Sequence, residues 1–262
     1  MIKNAIAYIT RKKNRTFIIF IILTIVLSCL YSCLTIMKSS NEIENSLYEN
    51  SNSSISITKK DGGYFNINQF KDIEKIEEIK EKIIQYDGLA KPKDAKVVKG
   101  EQRISREDLS DDLSNVLSLE ATNNTKRNIL FSSGVFTIKE GKNIEENDKN
   151  SIFVLEEFAK QNKLKLGDEL DLELLDMENN GKVKNHKFKI IGIFSGKKQE
   201  TYIGLSSDFS ENMVFADYST SQQILNKTEN NQIANKILMY SNSAESTDLA
   251  LNKCICFFVN IN

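Results

Sequence analysis

The sequence predicts an α+β protein held by a single N-terminal transmembrane helix, on three observations. Thr16 to Met37 contains no charge, proline or glycine. Behind that run, short apolar stretches of strand character interleave with stretches of helical spacing, without a regular strand–helix–strand repeat. Turn signals at Asp61–Gly63, Gly167-Asp168 and Asn180-Gly181 punctuate the alternation. The 262 residues allow one or two globular units, and much of the 40% hydrophobic content sits in the opening run.

As a helix the run is ~33 Å long at ~1.5 Å per residue, which matches a ~30 Å hydrocarbon core. Thr16, Phe17, Phe20, Leu23, Leu27, Leu30, Leu34 and Met37 are its anchor residues, and membrane lipid is the partner they imply. Arg11, Lys12, Lys13 and Arg15 precede it, whereas Lys38 alone follows closely before Glu42 and Glu44. That asymmetry places the N-terminus in the cytoplasm and everything beyond Met37 outside. A cleaved secretory signal has a shorter apolar region, ~7–15 residues, and a small-x-small site. No such site closes this run. "VLSC", ending at Cys29, loosely resembles a lipid-attachment motif, but "LYSCLTIM" follows and would leave a largely apolar mature start. The retained helix fits best.

The expected organisation is a basic cytoplasmic segment at 1–15, the transmembrane helix at 16–37 and a helical stalk at 38–52. An extracytoplasmic domain at 53–250 and an atypical tail at 251–262 complete it. Ile43, Leu47 and Tyr48 carry the helical spacing of the stalk. "SNSSISITKK" then alternates and predicts a strand with Ile55 and Ile57 on one face. Residues 69–86 place Phe70, Ile73, Ile76, Ile79, Ile83 and Ile84 at three-to-four spacing, which predicts an amphipathic helix capped by Gly88. Residues 90–130 are less patterned, with "KVVKG" as a candidate strand and 105–120 as a weak helix or loop.

The second half is better marked. Ile152–Leu155 predicts a strand, followed by a helix with Phe158 inward and a turn at Gly167-Asp168. Next comes a strand with Leu170, Leu172 and Leu174 on one face and Asp171 and Glu173 on the other. "GKVKNHKFKIIGIFSG" is its hairpin partner through Asn180-Gly181. "NMVFADYSTSQQIL" predicts a strand and a helix capped by Ser219 or Thr220, and "NKILMYSN" a last strand.

Little chemistry is encoded. A net charge of −1 supplies no global basic field for nucleic acid. Cys29 and Cys33 lie in the apolar run, and Cys254 and Cys256 near the end, so there is no disulfide framework. The lone histidine, His186, reads as a surface strand residue. Glu107, Asp108, Asp111 and Asp112 lack the glycine and closing glutamate of a calcium loop. "GIFSGKK" misses the spacing and the Lys-Ser/Thr ending of a phosphate loop. No nucleophile, metal set or cofactor motif emerges, and the chain is not expected to be an enzyme.

One resemblance adds to this reading. The basic "AIAYITRKKNRT", the apolar run, and "SSGVFTIKEGKNIEENDKNSIFVLEEFAKQNKLKLGDELDLELL" with "KFKIIGIFSG" resemble bacterial ABC-transporter permeases of the MacB/FtsX type. Gly141, Ile144, Ala159, Leu164, Gly167, Asp168 and Ile190–Phe194, including Gly192, fill the family's pattern. The resemblance is specific across 130–195, looser at 1–60 and weak between. It implies a MacB-like extracytoplasmic core domain in a bacterial cell membrane, with no catalytic residues and no cofactor. It further implies a separate cytoplasmic ABC ATPase subunit and a second permease copy or paralogue. The outer domain would couple ATP-driven motion to export or to extracytoplasmic substrate handling, through a helix unbroken from Thr16 into the stalk. Such permeases continue into further membrane helices, and "LNKCICFFVNIN" is unlike the helix that "SAESTDLA" begins, so the expectation is a truncated or frameshifted fragment. The alternative is a stand-alone membrane-anchored or lipoprotein-type extracellular binding module.

Overall fold

The computed structural model describes residues 13–47, 54–99, 115–176, 181–241 and 243–259. It falls into two units, Met1–Glu49 and Asn50–Asn262. The first contains one long helix, α1 (Lys13–Leu47). The second is built on a mixed sheet.

Along the second unit run β1 (Ser54–Thr58), β2 (Phe65–Asn66), a 3-10 helix (Ile67–Lys75), β3 (Glu81–Pro92), β4 (Leu117–Thr122) and the one-turn α2 (Ile129–Ser132). Then follow β5 (Phe136–Gly141), β6 (Ser151–Leu155), α3 (Glu156–Asn162), β7 (Glu169–Asp176) and β8 (Gly181–Gly196). The unit continues with β9 (Met213–Asp217), α4 (Tyr218–Ile224), β10 (Ile233–Ala234), β11 (Lys236–Tyr240) and α5 (Ala244–Val259).

The main sheet runs β1-β11-β3-β4-β9-β6-β8-β5, with β7 bridging β3 and β8. That bridge closes a ring. β3 pairs β4, β4 pairs β9, β9 pairs β6, β6 pairs β8, β8 pairs β7, and β7 returns to β3. β4–β9 and β6–β8 are parallel and the other ring pairs antiparallel. Two long strands make the closure possible. β3 gives one edge to β11 at residues 81–85 and then to β7 at 89–92, while β8 serves β7 first and β5 afterwards. Closure leaves no open edge within the ring.

Burial follows from this. β6 and β9 are buried at every residue, as expected of strands covered on both faces. Their alternate residues serve two cores. Ile152, Val154, Val214 and Ala216 join Leu172, Phe188 and Ile190 in the larger one. Phe153, Leu155, Met213 and Phe215 face the other way, against Phe136, Ile144 and Phe194. Phe131 from α2 packs on this second core, its ring stacked 5.3 Å from Phe153 and edge-on 5.4 Å from Phe194. Such aromatic pairs contribute roughly 0.5–1.5 kcal/mol each beyond burial.

The largest departure from the sequence reading lies at 69–86, where no α-helix forms. Ile67, Phe70, Ile73, Ile76 and Ile79 recur at every third residue, the period of a 3-10 helix and not of an α-helix. Asn66 caps that helix by accepting from the Asn68 N–H at 2.9 Å, and Ile76 and Ile79 close successive i,i+3 turns. From Glu81 the chain is a strand. Ile83 and Ile84 are β-branched, pack on opposite faces and suit a central strand. Gly88 is therefore a strand residue paired with Leu119, not a helix cap.

Smaller corrections follow. Residues 95–99 form no strand, and the end of the segment expected as helix or loop is β4. α4 is capped by Asp217, whose buried carboxylate accepts from the N–H groups of Thr220 (2.8 Å) and Ser151 (2.9 Å), so Ser219 and Thr220 are not the cap. α5 runs unbroken from Ala244 to Val259 across the boundary expected at 250, and Ala250 and Cys254 are buried in the larger core. Leu251–Val259 continue the helix that "SAESTDLA" begins. Glu107, Asp108, Asp111, Asp112, Asn180, Arg11 and Lys12 lie outside the described residues, as do the side chains of Lys13, Thr16, Ile43, Leu47 and Cys256.

Candidate functional site

α1 presents an apolar surface all round. Phe17, Phe20, Leu23, Leu27, Leu30, Leu34 and Met37 are all exposed, from 56% at Leu30 to 65% at Phe20 and Leu34. The stretch Phe17–Lys38 has a mean hydropathy of 2.7, and among the described residues it is the one helix long and apolar enough to cross a membrane. Thr24 and Thr35 return their hydroxyls to the carbonyls of Phe20 and Tyr31, both at 2.9 Å, so neither hydroxyl demands water. In water this surface would carry the full hydration penalty; in hydrocarbon it carries none.

Of the residues quoted from 130–195, Gly141, Gly167, Asp168 and Gly192 meet at one corner of the ring, around residues 190–192 of β8. Gly141, at the end of β5, faces Gly192 across the pair. Its φ is +81°, and a Cβ there would lie 2.1 Å from the Ile191 carbonyl oxygen and 2.7 Å from Leu166 Cδ1. Only glycine permits that approach. Gly167, with φ +93°, donates its N–H to the Ile190 carbonyl at 2.8 Å, and Ile190 donates to the Asp168 carbonyl at 2.8 Å. The Asp168 carboxylate accepts from the Lys165 N–H at 2.8 Å and closes the turn. Leu164 packs on the larger core beside Ala159, and Ile144 is fully buried. All of these atoms are committed to backbone bonds or packing. The corner is a joint between strands and offers no reactive group.

A second site was not marked by any motif. A cavity of about 340 Å³ lies over one face of β1, β11, β3 and β4, with α2 at its side. Strand alternation turns Gln85 and Asp87 of β3, Lys236, Leu238 and Tyr240 of β11, and Glu120 of β4 toward it. Asp87 and Glu120 are direct cross-strand partners, an arrangement that like charges make unfavourable. Gln85 Nε2 (2.8 Å) and Asn128 Nδ2 (2.5 Å) both donate to Glu120 Oε1. Burial, reinforced by the charge of Asp87, pushes the Glu120 carboxyl up to about 8, against weaker opposing pulls from Asn128, Lys236 and Lys198. Asp87 keeps an exposed side chain at the cavity mouth, and partial desolvation raises its carboxyl too, in spite of Lys236 and Lys198.

Arg127 stands at the rim, paired with Glu81 at 2.9 Å and lying 5.1 Å from the Tyr240 ring centroid. A sequence signal for this site existed only in part. Glu120 is the one ionisable residue of the alternating strand "LSLEAT", but nothing in the sequence pairs it with Asp87. His186 is half-buried on β8 and meets Asn150 Oδ1 at 2.7 Å, far from any nucleophile set. Among the described residues no group of three or more His, Cys, Asp or Glu is arranged to hold a metal ion.

No protein-family model matches the chain, and no curated protein matches it. Among solved structures, it is similar to the periplasmic region of MacB from Actinobacillus actinomycetemcomitans. The two are 14% identical with a TM-score of 0.42, over 76% of this chain and 74% of that one. It is also similar to the extracellular domain of the noncanonic ABC-type transporter YknZ from Gram-positive bacteria. There the identity is 11% and the TM-score 0.39, over 75% of this chain and 86% of that one.

Proposed function

We propose that the chain is a permease subunit of an ABC transporter, anchored by α1 with its basic N-terminal segment in the cytoplasm and the sheet-built unit outside. A separate cytoplasmic ATPase supplies the driving force, a second permease copy or paralogue completes the membrane part, and the outer unit takes part in export or extracytoplasmic substrate handling. The observation that supports this reading is the resemblance of the pattern Gly141, Leu164, Gly167, Asp168 and Gly192 to that of the permease family, of which Gly141, Gly167, Asp168 and Gly192 share one backbone-bonded joint. The lipid-length helix ahead of it supports the same reading. An ordered joint made of glycines and buried side chains suits a part that transmits force, because a packed interior resists deformation.

Two measurements test the proposal. In a chain whose native cysteines are replaced, a membrane-impermeant maleimide applied to intact cells should label Ser132→Cys and leave Asn4→Cys unlabelled. The reverse pattern overturns the orientation. The full chain purified from its native membrane should carry an ATPase of the ABC class in stoichiometric amount, and ATP hydrolysis should be lost with it when Leu27 and Leu30 are both replaced by Arg. Purification as a lone chain with full membrane insertion sinks the permease reading and leaves the anchored binding module.

A further inference from the structure

The cavity over β11, β3 and β4 plays no part in the transport reading, and its chemistry is unusual for a surface hollow. Two carboxylates sit opposite each other on adjacent strands, yet among the described residues neither forms an ion pair. The cations nearby are otherwise placed or insufficient. Arg127 is committed to Glu81 and to the face of Tyr240. Lys236 and Lys198 attract both carboxylates without offsetting their burial. Both hydrogen bonds to Glu120 fall on Oε1, and among the described residues none reaches the other carboxylate oxygen. Beside the acid pair, Ile129, Leu130 and Leu238 line the cavity with hydrocarbon.

We propose that this cavity binds a small organic cation, an ammonium or guanidinium group seated against Asp87 and Glu120 with its hydrocarbon body along Ile129, Leu130 and Leu238. A cation at that position supplies the positive charge that the cross-strand pair lacks, and it donates to the Glu120 oxygen that has no partner. Paired charges in a partly desolvated site gain far more than the same charges in water. An anionic ligand would oppose the ionisation of Glu120 beside Asp87, and a purely apolar one would offer neither carboxyl group a counter-charge. The inference does not depend on the permease reading; it stands on the cavity alone.

Binding must be linked to protons. At neutral pH the Glu120 carboxyl, raised to about 8, is mostly protonated, and seating a cation requires its ionised form. One proton therefore leaves as one cation binds. The dissociation constant should fall about tenfold per pH unit from about pH 6 to about pH 8 and flatten above, where Glu120 is already ionised. Asp87, whose carboxyl is itself raised by desolvation, faces the same cavity, as do Lys236 and Arg127.

The test uses the full chain in detergent micelles, with n-butylammonium as probe and butyrate as its matched anion, observed by ligand-detected NMR. The expected result is binding of butylammonium but not butyrate, with the stated pH slope. Glu120→Gln keeps an oxygen that can accept from Gln85 and Asn128, so the fold is retained, which circular dichroism checks. It should weaken the amine at least tenfold at pH 8 and abolish the slope. Asp87→Asn should weaken it as well. Equal binding of both probes, binding of butyrate alone, a pH-independent constant, no effect of Glu120→Gln, or no binding at tens of millimolar would each overturn the proposal.

Discussion

Replacing Gly141 by Ala tests whether the joint at β8 is as tight as its geometry states. Two costs arise there. A residue with a Cβ at φ +81° carries left-handed strain of about 1–2 kcal/mol. The new methyl also lies 2.1 Å from the Ile191 carbonyl oxygen and 2.8 Å from Gly192 Cα, both backbone atoms fixed by ladder bonds. Overpacking that cannot be relieved by a rotamer change adds about 1–3 kcal/mol. The sum, about 2–5 kcal/mol, is a large part of the ~5–15 kcal/mol typical of a folded domain.

Gly134→Ala provides the matched control. Its φ is +77°, and a Cβ there would meet nothing within 4 Å, so only the left-handed strain applies. A domain of this size loses ~2–4 °C of melting temperature per kcal/mol. Gly141→Ala should therefore melt roughly 5–20 °C below the wild type, and Gly134→Ala only a few degrees below. With no tryptophan in the chain, tyrosine fluorescence is the probe of choice. Equal shifts in the two variants would show that steric closure at the joint contributes nothing, and the account of the corner would be wrong.

Other outcomes follow from the same coordinates. The Glu120 carboxyl is raised above its unfolded value, so its contribution to stability is fully present below about pH 4.5 and is lost as pH rises through about 8. Wild type should fall behind Glu120→Gln in melting temperature across that window, and a constant gap from pH 5 to 9 would refute the shift. Asp217→Ala leaves two buried N–H groups without an acceptor and should cost about 2–3 kcal/mol in urea unfolding, while Ser219→Ala should cost under ~0.5 kcal/mol. Equal losses would restore Ser219 as the cap. Phe194→Ala opens a fully buried position among Phe131, Phe136, Phe153 and Phe215 and should cost about 3–5 kcal/mol by the same assay. Leu27→Arg with Leu30→Arg puts two charges at mid-helix, at ~2.5–3.5 kcal/mol each, and should shift the chain into the alkaline-carbonate supernatant, whereas unchanged retention would deny that α1 lies in lipid.

What the sequence disclosed depended on how local the signal was. β7 and β8 were legible because two alternating runs lie next to each other, and Leu170, Leu172 and Leu174 are buried as that pattern requires, although Gly181 opens β8 opposite Asp176 and is not a turn residue. α1 was legible because an uninterrupted apolar run needs no tertiary information. Residues 67–92 misled because a period of three and a period of 3.6 diverge slowly. Over Ile67 to Ile79 the two differ by less than one position per turn, and only the strict recurrence at every third residue separates them. The switch to strand at Glu81 is decided by partners far along the chain, β4, β7 and β11, which no window of local sequence contains.

That single misassignment also hides the cavity. As a helix, 69–86 would set Asp87 at a terminus in solvent, with an unremarkable charge. As a strand, the same residue falls into register with Glu120 across the β3–β4 ladder, and Gln85 reaches Glu120 across a separation of 35 residues. The chemistry of the site is then a property of register. Shifting β4 by one residue would turn Glu120 to the other face and bring Leu119 or Ala121 to the cavity, because side chains alternate along a strand. The ring fixes that register from both sides, since β4 is held by β3 on one edge and by β9 on the other. The juxtaposition of the two carboxyl groups is thus held by the packing of Leu119 and Ala121 into the opposite face. Glu120, kept beside Asp87 by a buried apolar pair, is mostly protonated at neutral pH, and its ionisation as a cation enters is the physical content of the linkage between cation and proton.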